Sequence, residues 1–488
     1  MAGFRIELDS LGKAKVPEEA YFGVFTARAI QNFQISGLMP SMELMKSLGQ
    51  IKLACAEANH SLKLLESKKF NAIKKSCNEL IKGKFVGHFL LDYFQAGAGT
   101  SFNMNANEIL ANRATEFLGG KKGQYLIHPN NDVNMSQSSN DVMPSVVRLA
   151  ILMHSQKLKK ELTELKNSFE KKSKEFNSVL KCGRTHFMDA VPITLGQEFF
   201  GYVSLMDSAL NEINEAEKKL LELPLGGTAV GTGINTHPDY RKKTVLNLRK
   251  ISGFRFVPAK NQGKSFELMH SMNSFVSYSN ALKMLSNSLI KISNDLMLLN
   301  SGPNAGLNEI ILPAVQPGSS IMPGKINPSI LEATKMACFY AEGMDLTVNR
   351  SAQEGVLEIN VFTPVILYSL ESSIQLLSNS MKMLSDKCIK GIKANKKQCM
   401  KLLEESHSYA TALNPYLGYF VLARLIKEAN EKNKPIKEAI LEKNFISEKE
   451  LSSILSFNAL IKPVKLNKKL IYKIKENNNY KNYLNLIQ

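Results

Sequence analysis

The sequence predicts an all-α fold, with a central bundle of about five long helices and smaller N- and C-terminal domains. Apolar residues recur every three or four positions over long stretches in the middle of the chain, as they do on one face of an amphipathic helix. Strands and helices do not alternate and no repeat of fixed period is visible, so a doubly wound sheet is not expected. The predicted domains are residues 1–140, 141–396 and 397–488.

The composition is that of a folded protein without a membrane span. The chain has 488 residues, of which 44% are hydrophobic and 22% charged. It has no run of about eighteen uncharged apolar residues, and its N-terminus lacks the apolar core of a signal peptide, so we expect a cytoplasmic location. Its six cysteines show neither C-x-x-C pairs nor metal-ligand spacing. We therefore expect reduced thiols and no bound metal.

The net charge of +18 could attract nucleic acid or a small anion. The lysines, however, occur in mixed-charge runs such as residues 170–174 and crowd the last thirty or so positions. No basic patch interleaved with aromatics is present, and no DNA-binding motif is recognisable. The charge is better interpreted as solvated helix faces and a basic tail, and no nucleic-acid partner is expected.

The N-terminal region contains two segments that could bind an anion. The first forty residues predict loops and short helices, and residues 41–82 predict helix. A Gly-rich turn at 97–99 is followed by a polar helix start at Thr100 and Ser101, where free N–H groups and the helix dipole favour negative charge. A capped helix with nothing bound is the alternative.

A polar cluster at residues 128–141 is the second of these segments. Every side chain from Ser136 to Asp141 can cap or hydrogen-bond, which exceeds what one helix N-terminus needs. Some of these groups are therefore available to a ligand, unless the cluster is only a polar surface turn.

Five segments predict the long helices of the bundle. The first starts at Pro144, a natural first-turn residue, and runs to Phe169, with His154 on its apolar face interpreted as a core histidine rather than a ligand. The others cover residues 193–222, 268–299, 329–350 and 361–395, and Asn300-Ser301-Gly302-Pro303 ends the third of the five.

Two loop-like segments lie between these helices. In residues 183–190, His186 stands beside Thr185 and a cation, where it could relay a proton or serve as a buried structural residue. Residues 224–233 superficially resemble a nucleotide-binding glycine loop, but no hydrophobic strand precedes them and no βαβ unit surrounds them. A tight turn between helices explains this second segment better.

The segment Gly318–Pro328 is the strongest candidate for a catalytic loop. Its glycines and prolines exclude regular helix, while Ser319, Ser320, Lys325 and Asn327 offer hydroxyls, an ammonium and a carboxamide. Such groups suit gripping a carboxylate and moving a proton beside it. An ordinary connection between helices remains the alternative.

These segments together resemble the fumarase/aspartase superfamily. Gly318 to Asn327 is similar to its signature loop, and residues 99–108, 137–141 and 184–186 are similar to its other active-site segments, in the expected order. The resemblance covers roughly residues 5 to 460. Within the superfamily, the four segments together most resemble the branch of aspartases and class II fumarases.

The resemblance implies a site that stabilises an enediolate-like intermediate. Ser319 would be the general base, activated by backbone N–H groups and Lys325, and Glu332 would orient His186. Substrate carboxylates and the leaving group would be held by the remaining residues, which are Thr100, Ser138, Ser139, Asn140, Thr185, Ser320, Lys325 and Asn327.

The resemblance also implies a homotetramer with each site built from three subunits, a small dicarboxylate substrate and no cofactor. Residues 20–36, 95–103 and 305–310 favour elimination of ammonia from L-aspartate, whereas residues 138–141, 128–132 and 225–228 lean towards fumarate hydratase. A non-catalytic protein that keeps the lyase fold is a third possibility. It is less favoured because five residues of the implied site are intact, namely Ser319, Lys325, Asn327, His186 and Glu332.

Overall fold

The computed structural model describes residues 3–487 and is built almost entirely of helices. The helices are α1 (Val24–Asn32), α2 (Met42–Ser61), α3 (Ser67–Ile81), α4 (Thr100–Phe117), α5 (Ser139–Glu175), α6 (Leu195–Leu220), α7 (Tyr240–Ser252), α8 (Gln262–His270), α9 (Asn273–Leu299), α10 (Ser329–Gln353), α11 (Thr363–Lys387), α12 (Lys396–Glu405), α13 (Ala410–Leu417), α14 (Tyr419–Glu431), α15 (Ile436–Glu442), α16 (Glu448–Ile454), α17 (Phe457–Ile461), α18 (Lys468–Glu476) and α19 (Asn478–Ile487). A turn of π-helix covers Pro129–Val133.

Strands occur only in two-stranded sheets among the described residues. They are β1 (Phe4–Asp9), β2 (Gly12–Pro17), β3 (Leu180–Thr185), β4 (Met188–Thr194), β5 (Glu222–Leu223), β6 (Val257–Pro258), β7 (Ile310–Ile311) and β8 (Lys393–Ala394). The predicted all-α class is thereby confirmed. No helix in the described part of the chain is long and apolar enough to cross a membrane.

The five predicted long helices are present as α5, α6, α9, α10 and α11. Side-chain bonds join them: Tyr278 on α9 donates to Ser155 on α5, and Ser279 on α9 donates to Asp345 on α10, each at 2.6 Å. His154 lies on α5 and contacts Glu371 on α11 at 3.2 Å, as a partly buried histidine with a protein partner. Burial lowers the pKa of His154, but the Glu371 carboxylate outweighs this effect, so the pKa is raised overall.

Three sequence predictions differ in detail from the structure. Helix α5 begins at Ser139, not at Pro144. Pro144 lies in its second turn, where the missing N–H removes one helical hydrogen bond without ending the helix. The segment predicted from residue 268 is divided at Ser271 into α8 and α9. Strands β1 and β2 form an antiparallel hairpin where only loops and short helices were predicted.

Contacts divide the chain into two compact units. Among the described residues, unit 1 consists of the chain up to Leu162 with Ser208–Leu289 and Lys335–Ser380. Unit 2 consists of Thr163–Asp207, Ile290–Thr334 and the chain from Met381 onward. The predicted division at residues 140 and 396 stays a prediction. In unit 1, helix α2 packs against α3, α4 and α7, and its apolar side chains such as Leu48 and Ile51 are fully buried.

Unit 2 contains its own hydrophobic core, formed largely by the C-terminal helices. Helix α13 packs against α14 and α18, and α14 packs against α15 and α19. Leu470, Ile474 and Tyr480 of the basic tail are buried in this core. All six cysteines are buried, and none forms a disulfide bond in the structure.

Candidate active site

Two helix N-termini bring part of the predicted site together in unit 1. Thr100 is the first residue of α4 and follows the Gly-rich turn, where Gly99 has a φ of +67°. Ser139 is the first residue of α5. Asn103, one turn into α4, donates from Nδ2 to Ser139 Oγ at 3.0 Å, so the two helix starts lie side by side. Their N–H groups and dipoles favour a negatively charged ligand.

Both serines of this segment have an available hydroxyl proton. Ser138 Oγ accepts the backbone N–H of Asn140 at 3.2 Å, while Ser139 Oγ accepts Asn103. Within the described residues neither hydroxyl donates to a protein acceptor. Each can therefore donate to a ligand while its own oxygen is already held in place.

A buried lysine fixes the orientation of the Asn103 amide. Lys52 on α2 is fully buried, and its Nζ lies 2.6 Å from Asn103 Oδ1, 2.9 Å from Asn134 Oδ1 and 2.9 Å from Gln137 Oε1. Because Oδ1 of Asn103 faces the ammonium, Nδ2 must face Ser139. Burial lowers the pKa of Lys52 to about 8.

Glu108, further along α4, caps the N-terminus of α1. Its carboxylate accepts the backbone N–H groups of Gly23, Phe25 and Thr26 at 2.9 to 3.1 Å. Helix α1 has no capping side chain of its own. Burial raises the pKa of Glu108 to about 7, against the opposing effect of these hydrogen bonds. Glu108 thus has a structural role within unit 1.

His186 lies at the tip of the β3–β4 hairpin of unit 2. Thr185 pairs with Met188, so His186 and Phe187 form a two-residue turn. Both have positive φ, +54° and +61°, as a type I′ turn requires, although neither is glycine or asparagine. The expected loop is thus a hairpin in which Thr185 belongs to a strand, and His186 is exposed. Unusual backbone of this kind is concentrated at functional sites.

A buried carboxylate holds the base of this hairpin. Glu309 is completely buried and contacts Lys181 Nζ at 2.9 Å and Arg184 Nη1 at 3.0 Å. Lys181 also pairs with Glu198 at 2.8 Å. Burial opposes the charge of Lys181, but the carboxylates of Glu198 and Glu309 outweigh it and raise the pKa of Lys181. Two cations and two carboxylates therefore fix the strand that leads to His186.

The loop Gly318–Pro328 of unit 2 has no regular secondary structure, as predicted. Ser319 Oγ accepts the backbone N–H groups of Ile321 at 3.3 Å and Met322 at 3.0 Å. These two donors would stabilise negative charge on the serine oxygen. Most of the loop is exposed, including Ser320 and Lys325.

The neck of this loop is closed by Asn327. Its Nδ2 donates to the carbonyl of Gly318 at 2.7 Å, and the N–H of Gly318 donates to the carbonyl of Lys325 at 2.8 Å. Asn327 therefore keeps one N–H and its Oδ1 for a ligand. Glu332 lies half-buried in the first turn of α10.

Within unit 2, side-chain contacts do not join all of the predicted site residues. His186 and Glu332 share no hydrogen bond or ion pair in the described part of the chain, and each lacks a side-chain partner there. Thr100, Ser138, Ser139 and Asn140 belong to unit 1, whereas the other predicted site residues belong to unit 2. The roles predicted for these residues stay predictions.

Sequence analysis missed Lys52, Asn103 and Glu309 as individual functional candidates. Lys52 carried a usable signal, since it is a charged residue within the apolar run Ile51–Ala56, where charge is costly to bury. Asn103 and Glu309 belonged to segments compared with the superfamily, but their partners lie 51 and 125 residues away in the chain, respectively. No local pattern indicates such pairs.

The chain is similar to known families and proteins over most of its length. Residues 12–343 match a family model described as Lyase, and residues 410–462 match one described as Fumarase C C-terminus. An aspartate ammonia-lyase of Pseudomonas canavaninivorans is 45% identical over 95% of this chain and 98% of its own length.

Two solved structures share the fold. A fumarate lyase:delta crystallin of Brucella melitensis, bound to cobalt, superposes with a TM-score of 0.90 at 43% identity, covering 93% of this chain and 98% of that one. A class II fumarase of Schistosoma mansoni gives a TM-score of 0.89 at 35% identity, with the same coverage of both chains.

The match of residues 12–343 to the Lyase model shows that the chain belongs to a family of lyases. More particularly, the chain belongs to the fumarase/aspartase superfamily.

Proposed function

We propose that the protein is an aspartate ammonia-lyase, which converts L-aspartate into fumarate and ammonia. The observation that carries this proposal is the identity of 45% to a curated aspartate ammonia-lyase over 95% of the chain, against 35% to a class II fumarase structure. Relatives from Helicobacter pylori and Bacillus subtilis with the same description are 43% and 40% identical. The substrate is thus a small dicarboxylate that carries an amino group.

Proton removal is the difficult step of this reaction. The proton leaves the carbon next to the side-chain carboxylate, and its electron pair moves into that carboxylate as an enediolate. Donors in place before the reaction stabilise this charge most effectively. The free hydroxyl protons of Ser138 and Ser139 and the start of α4 at Thr100 support their role as these donors. Ser320 is proposed as a further donor.

Ser319 is the proposed base. An ordinary serine hydroxyl is too weak an acid to be ionised near neutral pH, so its alkoxide must be stabilised by its surroundings. The N–H groups of Ile321 and Met322 supply part of this stabilisation, and the charge of Lys325 supplies more. The proton removed from the substrate carbon is transferred to Ser319 Oγ.

The remaining residues hold the other end of the substrate. Lys325 and Asn327 grip the second carboxylate, and Asn140, Thr185 and His186 lie at the leaving group, with Glu332 orienting His186. When the enediolate collapses, the carbon–carbon double bond forms and the carbon–nitrogen bond breaks, so the nitrogen leaves with its electron pair as ammonia. The amine is already protonated before this step, so it requires no strong acid.

A homotetramer is the proposed assembly, with each site made from three subunits. The separation of the site residues along the chain, and the exposed His186 without a side-chain partner in the described residues, support this arrangement. A cytoplasmic location also remains a proposal.

One experiment tests the proposed activity. Purified protein is given L-aspartate and L-malate in separate reactions, and fumarate is followed by its ultraviolet absorbance. Fumarate from L-aspartate is the expected result. Fumarate from L-malate alone would make the protein a fumarase, the candidate favoured by the sequence of residues 138–141. If neither substrate yields fumarate, the remaining candidate is a non-catalytic protein with the lyase fold.

A further inference from the structure

The glycine-rich segment 226–233, which superficially resembled a nucleotide loop, is attached to the candidate site by Asp141. The Asp141 carboxylate is completely buried. Its Oδ2 accepts the backbone N–H groups of Gly226 at 2.8 Å and Thr228 at 3.1 Å, while its Oδ1 accepts the N–H of Ser138 at 2.9 Å. One carboxylate therefore joins the glycine-rich loop to the polar segment that begins α5.

The loop is also held from its other side. Arg241 Nη2 donates to the carbonyl of Gly231 at 3.1 Å and to Ser265 Oγ at 2.9 Å. Ser265 in turn donates to the same Gly231 carbonyl at 2.7 Å. Gly226 has a φ of +87°, and a β-carbon there would lie 2.8 Å from Arg241 Cβ. The loop thus has a fixed conformation in which a side chain at position 226 does not fit.

The loop determines which end of the Asn140 amide is available to a ligand. Asn140 Nδ2 donates to the carbonyl of Ala229 at 2.8 Å. The amide nitrogen faces the loop, so Oδ1 remains an acceptor, and no donor among the described residues bonds it. An ammonium group can only donate hydrogen bonds, so a bare amide oxygen is a suitable partner.

We propose that Asp141 and the loop 226–233 are positioning elements that hold Asn140 with its Oδ1 towards the substrate amino group. This inference rests on the proposed ammonia-lyase function. It assigns the loop a role in binding the leaving group, whereas Ser138 and Ser139 are proposed to bind the carboxylate.

The reverse reaction separates the two roles, because ammonia and fumarate are then different substrates. Gly226→Ala displaces the loop without changing any group proposed to touch substrate. We expect the KM for ammonia to rise about tenfold, the loss typical of one hydrogen bond to a charged group, while the KM for fumarate stays within about twofold.

Gly253→Ala is the matched control. Gly253 also has a positive φ, +78°, but nothing lies within 4 Å of an added β-carbon. The Gly253→Ala substitution introduces similar backbone strain at the end of α7 and should leave the KM values for ammonia and fumarate unchanged. Equal effects of the two substitutions, or a parallel rise in the KM for fumarate, would overturn the proposal.

A double-mutant cycle shows whether the loop acts through Asn140. In an Asn140→Ala background, Gly226→Ala should add less than about twofold to the KM for ammonia, whereas independent effects would multiply and contradict the proposal. If Gly226→Ala does not fold, Asp141→Asn takes its place in the same cycle. If the wild-type protein acts on L-malate alone, both this inference and the proposed function are overturned. If it has normal ammonia-lyase activity but the two substitutions act independently on the KM for ammonia, only this inference is overturned.

Discussion

Asn103 donates from its side-chain amide to the hydroxyl oxygen of Ser139 at 3.0 Å, and it has this orientation because its carbonyl oxygen faces the buried ammonium of Lys52 at 2.6 Å. A lysine on α2 thereby determines how a serine on α5 presents its proton. This relationship links a core position to the candidate carboxylate site.

Replacement of Lys52 should lower catalytic activity, although Lys52 is not proposed to contact the substrate. In Lys52→Met, Asn103 is no longer held and Ser139 loses its fixed donor direction, so we expect kcat/KM for L-aspartate to fall roughly tenfold to hundredfold. Lys69→Met is the control, since Lys69 is a partly exposed lysine on α3 that pairs with Asp132. Circular dichroism checks that both variants are folded, and equal activities of folded variants would contradict the role of Lys52.

Removing the base should stop the reaction while preserving the protein. Ser319→Ala eliminates the proposed alkoxide, and we expect kcat to fall roughly thousandfold or more. Ser320→Ala removes one proposed donor to the enediolate instead, so kcat should fall less, by roughly a hundredfold. Steady-state kinetics and size-exclusion chromatography measure both. A Ser319→Ala enzyme with near-normal turnover would exclude Ser319 as the base.

His186 distinguishes the two chemistries of the superfamily. An ammonia-lyase expels an amine that is already protonated, so His186→Asn should lower kcat for L-aspartate only about tenfold, whereas a hydratase that needs an acid would lose about a hundredfold or more. Asparagine is chosen because it tolerates the positive φ of +54° at this turn. Rates with both substrates are the measurement, and a thousandfold loss with L-aspartate would oppose the prediction.

Glu309 should be a major contributor to stability. Glu309→Gln leaves the buried Lys181 and the half-buried Arg184 beside a neutral group, and breaking a buried pair typically costs about 3–5 kcal/mol. Glu198 is a more exposed partner of Lys181, since the Glu198 side chain is 26% accessible. Glu198→Gln should therefore cost roughly 1 kcal/mol. Urea unfolding compares the two, and similar losses would show that burial of Glu309 is not decisive.

The buried Glu108 gives stability a pH dependence of known sign. Burial raises its pKa from 4.5 to about 7, so between these values the folded protein binds a proton that the unfolded chain has released. The contribution of Glu108 to the free energy of unfolding is therefore largest below pH 4.5. It decreases by roughly 3 kcal/mol in total as the pH rises to about 7.

Glu108→Gln provides the comparison, because it cannot titrate while the other groups remain. The difference in free energy of unfolding, wild type minus variant, should decrease between pH 4.5 and 7 and then stay constant. Urea unfolding at several pH values measures it. Two parallel curves over this range would contradict the raised pKa.

The sequence predicted the long helices well because their apolar residues follow a local period that packing on one face requires. The N-terminal hairpin was missed although Ile6 and Leu8 alternate with charged residues, as in a strand. Its burial reverses the usual pattern, since Ile6 and Leu8 are 58% and 71% exposed whereas Glu7 is buried. The Gly318–Pro328 loop was predictable, since proline and glycine act locally.

The supporting contacts could not be predicted because their partners are distant in the sequence. Asp141 binds Gly226, 85 residues away, and Arg184 binds Glu309, 125 residues away. The segments that carry the candidate chemistry could be recognised from their residue types, whereas the groups that orient them are set by tertiary packing. The glycine-rich loop illustrates this: its turn was predicted, but its attachment to Asn140 was not.

The cap that Glu108 places on α1 also constrains the order in which the N-terminal region can fold. Helix α1 has nine residues, too few to be stable alone, and its N-terminus finds its acceptor on a helix that begins about seventy positions after α1 ends. Formation of α1 must therefore follow or accompany the docking of α4. On a ribosome, α1 would emerge early and remain without this cap until α4 had been synthesised.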